Sequence, residues 1–346
     1  MRAVVLRGGR LEVRETDDPV PGPGELLLRT LSTAICASDV HFMDHHEVVT
    51  SDGTGRFVYD ENRDIVLGHE FVGEVVDHGP ECTDQFPVGT RVTSMPILLL
   101  DGGLGGTRVI GQHPDAQGSF GELLVVSELM TRAVPEGVSS DAVALVDAFA
   151  VGEFYVRSSR ITSGEIPIVI GAGAIGLSVA AALVARGIDP VIVSDYKPER
   201  LQLANAFGAH LLVDASERSP FDVWREVAFE RGATTPAVVF ECVGAPGLVD
   251  HIVESCDMWT RIYAAGGWYT GDTLDCTKAT HKGVTIQFGG GPHPEDWYGT
   301  LDAISDGRLD PLPSVGKIIG LDEVPEALDL ARKVLGPPRI VVHPNG

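Results

Sequence analysis

The stretch Cys36-Ala37-Ser38-Asp39-Val40-His41 brings a thiol, a hydroxyl, a carboxylate and an imidazole close together directly after a strand-like segment. A second reactive group follows at Gly68-His69-Glu70, and Asp147 stands inside an apolar run. Thiolate, imidazole and carboxylate are the donor types that hold zinc, and a catalytic zinc keeps one position for water or substrate. Each residue also has an ordinary reading. A free cysteine is commonly a buried structural thiol. Ser38 and Asp39 can cap a short helix. His69 can be a hydrogen-bonded core histidine beside a surface glutamate. Spacing alone does not bring Cys36, His69 and Asp147 together. His45 and His46 read as solvated loop residues.

The second constellation is Gly171-Ala172-Gly173-Ala174-Ile175-Gly176. A bare glycine pattern of this kind is weak evidence, but here it follows a buried strand, opens an apolar helix and precedes Asp195 at the end of the next strand. Gly171 permits the tight turn, Gly173 admits a pyrophosphate to the backbone, and Gly176 allows close helix–strand packing. The helix start then offers free N–H groups to phosphate. Asp195 can accept both hydroxyls of an adenosine ribose and repels a 2′-phosphate, which favours NAD over NADP. Lys197 and Arg200 nearby act against that preference. Ile175 in the glycine turn, Val243 after the fourth strand and Arg200 complete the expected cofactor contacts.

These residues must be positioned by two kinds of structure. Residues 1–35 alternate short apolar runs with turn signals and lack long helical periodicity, and residues 42–65 are polar and irregular. The segment Phe71–Val76 is a strand, and residues 96–118 read as a long connection. A helical stretch begins at Ser139-Ser140-Asp141. After about residue 150 the texture changes. Continuous apolar runs at 166–170, 190–195, 211–213, 237–242, 261–266 and 284–288 alternate with helices, the pattern of a doubly wound parallel sheet. A helix at 297–304, a strand at 315–319, a helix at 324–334 and a last strand at 339–342 follow.

The 346 residues carry a net charge of −23, with 49 acidic against 26 basic side chains. Such a surface repels phosphate backbones and anionic membranes, so nucleic-acid and membrane partners are not expected. No run approaches the roughly 18 apolar residues of a membrane span. Five scattered cysteines argue against a disulfide framework and for a reducing, cytoplasmic setting.

Taken with these motifs, the whole chain resembles the zinc-dependent medium-chain dehydrogenase/reductase superfamily, in its alcohol dehydrogenase-like group. The resemblance rests on Cys36, Ser38 and His41, on Gly68-His69-Glu70 with Gly73, on Asp147-Ala148-Phe149-Ala150-Val151-Gly152, and on the glycine turn. It implies an α/β protein with a GroES-like, β-rich catalytic domain at 1–149 and 291–346 and a Rossmann dinucleotide-binding domain at 150–290. The active site is then expected in the cleft between them, closing by a hinge on cofactor binding. Cys36, His69 and Asp147 are implied as zinc ligands, with Glu70 behind the metal or replacing its water. Ser38 is the expected first proton acceptor, in a relay to His41, and Asp39 orients a ligand. Arg339 resembles a basic residue that meets the cofactor pyrophosphate. The loop at 94–118 lacks the four cysteines of a structural zinc, so one zinc per subunit is expected. Homodimers or homotetramers are usual in the family. The implied reaction is the NAD-linked interconversion of an alcohol, secondary or polyol, and its ketone or aldehyde. The rival readings are a zinc-free NAD(P)H-dependent reductase of activated double bonds, a lyase-like relative using tightly held NAD, and a non-catalytic nucleotide sensor.

Overall fold

The computed structural model describes residues 1–83 and 85–346. The chain divides into two compact units, Met1–Asp147 with Asp310–Gly346, and Ala148–Leu309.

The first unit is β-rich. Its larger sheet has seven strands among the described residues, in the order Thr131–Ala133, Arg91–Ser94, Glu70–His78, Glu25–Ala34, Arg339–Val342 and Val315–Ile319, with Leu123–Ser127 also paired to Glu25–Ala34. A three-stranded sheet places Arg2–Arg7 between Arg10–Glu15 and Ile65–Val66. Leu26 and Leu28 alternate inward along their strand and pack with Phe71, Val75 and Leu124. A separate core joins the first strand to Phe42, Val324 and Leu328. The helix Val324–Arg332 owes its place there to an i, i+3, i+4 apolar stripe of Val324, Ala327 and Leu328. The long connection contains a small hairpin, Ile97–Leu99 with Thr107–Val109.

The second unit is the doubly wound sheet. Six parallel strands run in the order 3-2-1-4-5-6, counted from Pro167–Ile170 through Ile192–Asp195, Leu211–Asp214, Val238–Glu241, Arg261–Ala264 and Thr285–Phe288. The central strands are buried on both faces, which is why they read as uninterrupted apolar runs. The helices are punctuated as local chemistry dictates. In Pro220–Arg231, Ser219 accepts from the Phe221 N–H, Pro220 fills the first turn, and Gly232 ends it with φ of 62°.

Two expectations need correction. The second domain junction was placed at 290/291, and the unit runs on to Leu309. The reason is helix Pro294–Ser305: Arg157 pairs with its buried Asp296, and Phe154 stacks on His293. A helix at Cys276–Lys282, between the fifth and sixth strands, was not anticipated.

Candidate functional site

In the first unit, Cys36 ends the link from strand Glu25–Ala34 and is the residue before helix Ala37–Asp44. Asp39 explains why the helix starts there. Its Oδ2 accepts the Cys36 N–H at 3.0 Å, satisfying one of the donors that a helix start exposes. Its Oδ1 lies 3.0 Å from His69 Nδ1, and the side chain is fully buried. One carboxylate thus fixes both the turn that carries Cys36 and the ring of His69, leaving His69 Nε2 turned the other way, 2.9 Å from Ser38 Oγ.

His69 and Glu70 sit where Glu70–His78 enters the larger sheet. The backbone here is crowded. Gly68 has φ of +94°, and an added Cβ would lie 2.7 Å from the Phe120 ring; Cβ atoms on Gly111 or Gly118 would each lie 2.4 Å from Gly68 O. A loop at 110–120 therefore presses backbone against backbone beside His69, which only glycine allows.

The structure brings together Cys36 Sγ, a ring nitrogen of His69 and a carboxylate oxygen of Glu70, all within 4.8 Å of one another. Burial opposes charge on both Cys36 and His69. The hydrogen bond and charge of His69 nevertheless lower the Cys36 thiol, and Asp39 and then Cys36 raise His69 well above the usual histidine value. Glu70 is 1% exposed; its Oε2 pairs with Arg339, itself 2% exposed, and its Oε1 has no hydrogen-bond partner among the described residues. Sulfur, nitrogen and oxygen donors in a buried setting, one carboxylate oxygen among them without a partner, fit a metal ion of the zinc type.

The other expected residues are placed as follows. Asp147 lies half-buried in the first turn of helix Val146–Ser159 and is not part of the 4.8 Å set. Arg339, expected at a cofactor pyrophosphate, is buried and pairs with Glu70, because its strand runs beside Glu25–Ala34. His41 is half-buried one turn beyond Ser38; burial and then His45 lower its pKa. His45 and His46 are not simply solvated. His45 stacks on His41, and His46 stacks on Tyr59 with ring centroids 3.9 Å apart. Gln112, passed over in the sequence, is buried with its amide 3.5 Å from Ser38 O.

In the second unit, the glycine turn behaves as its spacing predicts. Gly171 has φ of +92°, and a Cβ there would lie 2.6 Å from Val243. A Cβ on Gly176 would lie 1.8 Å from Gly171 O, so helix Ala174–Ala185 packs against the turn at a distance only glycine permits. Gly173 differs: the space beyond it is open, with only Arg200 Nη1 at 3.9 Å. That open face at a helix start leaves room for a phosphate to approach the backbone. Asp195 accepts from the Ala172 N–H at 2.7 Å and the Lys197 N–H at 2.9 Å, with Arg200 3.9 Å away. The carboxylate is thus held beside the glycine turn. Ile175 is half-buried in the turn and Val243 is exposed beside it. These residues fit a dinucleotide.

Residues 22–136 match the alcohol dehydrogenase GroES-like domain, and residues 174–306 match the zinc-binding dehydrogenase domain. The chain is 28% identical over 341 residues to (R,R)-butanediol dehydrogenase of Bacillus subtilis, covering 97% of each. It is 27% identical to an L-threonine 3-dehydrogenase of Rhizobium johnstonii over 343 residues, 96% of this chain and 95% of the relative. The crystal structure of 2R,3R-butanediol dehydrogenase from Bacillus subtilis superposes with a TM-score of 0.83 at 27% identity, covering 99% of both chains.

Proposed function

Because the chain belongs to the medium-chain dehydrogenase/reductase superfamily, in its alcohol dehydrogenase-like group, we propose that it is a zinc-dependent, NAD-linked dehydrogenase of secondary alcohols. The relatives are dehydrogenases of CH–OH groups, and this chain is an oxidoreductase of that kind. The observation that carries the finer reading is the buried Cys36–His69–Glu70 set, three different donor types in one place. The proposed substrate is a secondary alcohol whose neighbouring carbon bears a second polar group, the feature that a 2,3-diol and threonine have in common.

Cys36 and His69 hold the metal in this reading, with Glu70 as the carboxylate beside them and Asp147 as the further protein ligand. When bound, zinc supplies Lewis acidity toward the substrate oxygen and NAD supplies the hydride acceptor. Asp39 keeps His69 in the orientation that leaves Nε2 toward the metal, the role a carboxylate commonly plays behind a ligating histidine. Ser38 Oγ, on that same side of His69, takes the proton of the substrate hydroxyl. His41 stays neutral to lower pH than an ordinary histidine, so it remains able to accept that proton and deliver it to solvent. Arg339 holds Glu70 by charge from behind. In the second unit Gly173 receives the pyrophosphate, and Asp195 receives the adenosine ribose and selects NAD.

The test is NADH formation across alcohol classes, with the metal counted in the same preparation. The expected result is that a vicinal diol or a 3-hydroxy amino acid reduces NAD faster than the matching simple alcohol. Absence of NADH formation with every secondary alcohol by the zinc-loaded enzyme contradicts the reading. Assembly as a homodimer or homotetramer belongs to the same reading. Light scattering should then give a multiple of 36.8 kDa, and a monomer mass contradicts it.

A further inference from the structure

Glu241 is the last residue of strand Val238–Glu241, is fully buried and is the one charged residue of a strand that is otherwise apolar. Its side-chain Oε1 accepts two backbone N–H groups, Val243 at 2.7 Å and Gly244 at 2.8 Å. Its main-chain oxygen accepts two more, Ala265 at 2.7 Å and Gly266 at 2.9 Å. One residue therefore fixes the loops that leave the fourth and fifth strands. Those loops are packed without room for side chains: a Cβ on Gly266 would lie 2.1 Å from Gly244 N, and one on Gly244 would lie 2.3 Å from Gly267 O. Glu241 also pairs in register with Ile170, the residue before the glycine turn, and Val243 touches Gly171. Burial raises the Glu241 carboxyl, so keeping it at this depth is costly and calls for a purpose.

The location supplies that purpose. In the order 3-2-1-4-5-6, the connections diverge between the first and fourth strands, and ligands bind outside the carboxyl ends of the strands at that point. The first half of the sheet carries the glycine turn and Asp195, so it takes the adenosine side. The second half takes the other mononucleotide. We propose that Glu241 is a positioning residue for the nicotinamide half of the cofactor, acting through the 243–244 loop, against which the 265–267 loop packs, rather than by contact. The inference rests on the reading of this unit as an NAD site.

The experiment uses the full-length, metal-loaded protein and measures binding of NADH and of ADP-ribose, which lacks nicotinamide. Loss of the Oε1 acceptor removes the partner that holds the Val243 and Gly244 N–H groups in place, so Glu241→Ala should weaken NADH by at least about tenfold. ADP-ribose binding should stay within about threefold of wild type, because the glycine turn and Asp195 are untouched. Glu241→Gln keeps an acceptor at that position and should recover most of the NADH affinity. Glu241→Asp, whose shorter side chain cannot span both N–H groups, should show the same selective loss and reads the outcome if the alanine variant does not fold. The proposal is overturned if the shortened variants bind NADH as wild type does, if NADH and ADP-ribose weaken by the same factor, or if glutamine fails to rescue. A wild-type protein that binds no NADH instead rejects the NAD reading itself.

Discussion

Replacing Cys36 by serine, or Asp147 by alanine, removes a soft or charged donor from the proposed metal site without disturbing a core. Both variants should keep their fold and lose most bound zinc and activity, which elemental analysis and circular dichroism together decide. Full zinc content in Asp147→Ala would leave Cys36, His69 and Glu70 as the complete protein set. The pH dependence belongs to this scale as well. Burial, and then His45, hold the His41 pKa below its ordinary value of 6.5. The neutral, proton-accepting form is therefore lost only as pH falls through that lowered value, and the acid limb of alcohol oxidation should lie below 6.5. Linkage has the matching sign: protonation is easier in the unfolded chain, so His41 withdraws stability as pH falls below 6.5. His45→Ala removes one of the two causes and should move the acid limb upward. An unmoved limb would separate His41 from the proton path. The sequence singled out Cys36, Ser38, Asp39 and His69, because reactive side chains cluster just after one strand and just before another. It did not carry Glu241, which reads as the polar end of an apolar run, nor Gln112, whose nearness to Ser38 arises only from the folding of the 110–120 loop. A glutamate closing a strand that is otherwise wholly apolar was the available signal.

Among the elements, the glycine turn offers a paired test. Gly176→Ala forces a Cβ to within 1.8 Å of Gly171 O, a backbone atom that cannot yield, whereas a Cβ on Gly173 meets open space. The first variant should therefore lose stability by about 1–3 kcal/mol as well as NADH binding. Gly173→Ala should melt like wild type yet bind NADH poorly, since its methyl group occupies the pyrophosphate approach. Equal melting of the two variants would contradict this division of roles. The doubly wound sheet was legible because buried parallel strands leave continuous apolar runs between helices. Helix Cys276–Lys282 was not, because it buries none of its residues and has no apolar stripe; its start is set by Asp275, which accepts from the Thr277 and Lys278 N–H groups. The hairpin Ile97–Leu99 with Thr107–Val109 was hidden for a related reason: its strands are too short to establish an alternation.

For the whole molecule, the chain divides into two units, with the later junction after Leu309 and not residue 290. That boundary was invisible in the sequence because it depends on contacts between helices far apart in the chain, Arg157 with Asp296 and Phe154 with His293. The residues proposed for the adenosine side of the cofactor all lie in Ala148–Leu309, and those proposed for the metal in the other unit. Stripping the metal with a chelator should therefore abolish turnover while ADP-ribose binding, followed by calorimetry, persists; joint loss of both would contradict that division. No helix among the described residues is long and apolar enough to cross a membrane. The central claim, a metal held by Cys36 and His69 that drives NAD-linked alcohol oxidation, is tested most directly by one side-by-side measurement. Zinc per chain and vicinal-diol-dependent NADH formation are compared in wild type and Cys36→Ser. The account predicts one zinc and steady NADH formation in the wild type, and neither in the variant. Full zinc or undiminished NADH formation in Cys36→Ser would contradict it.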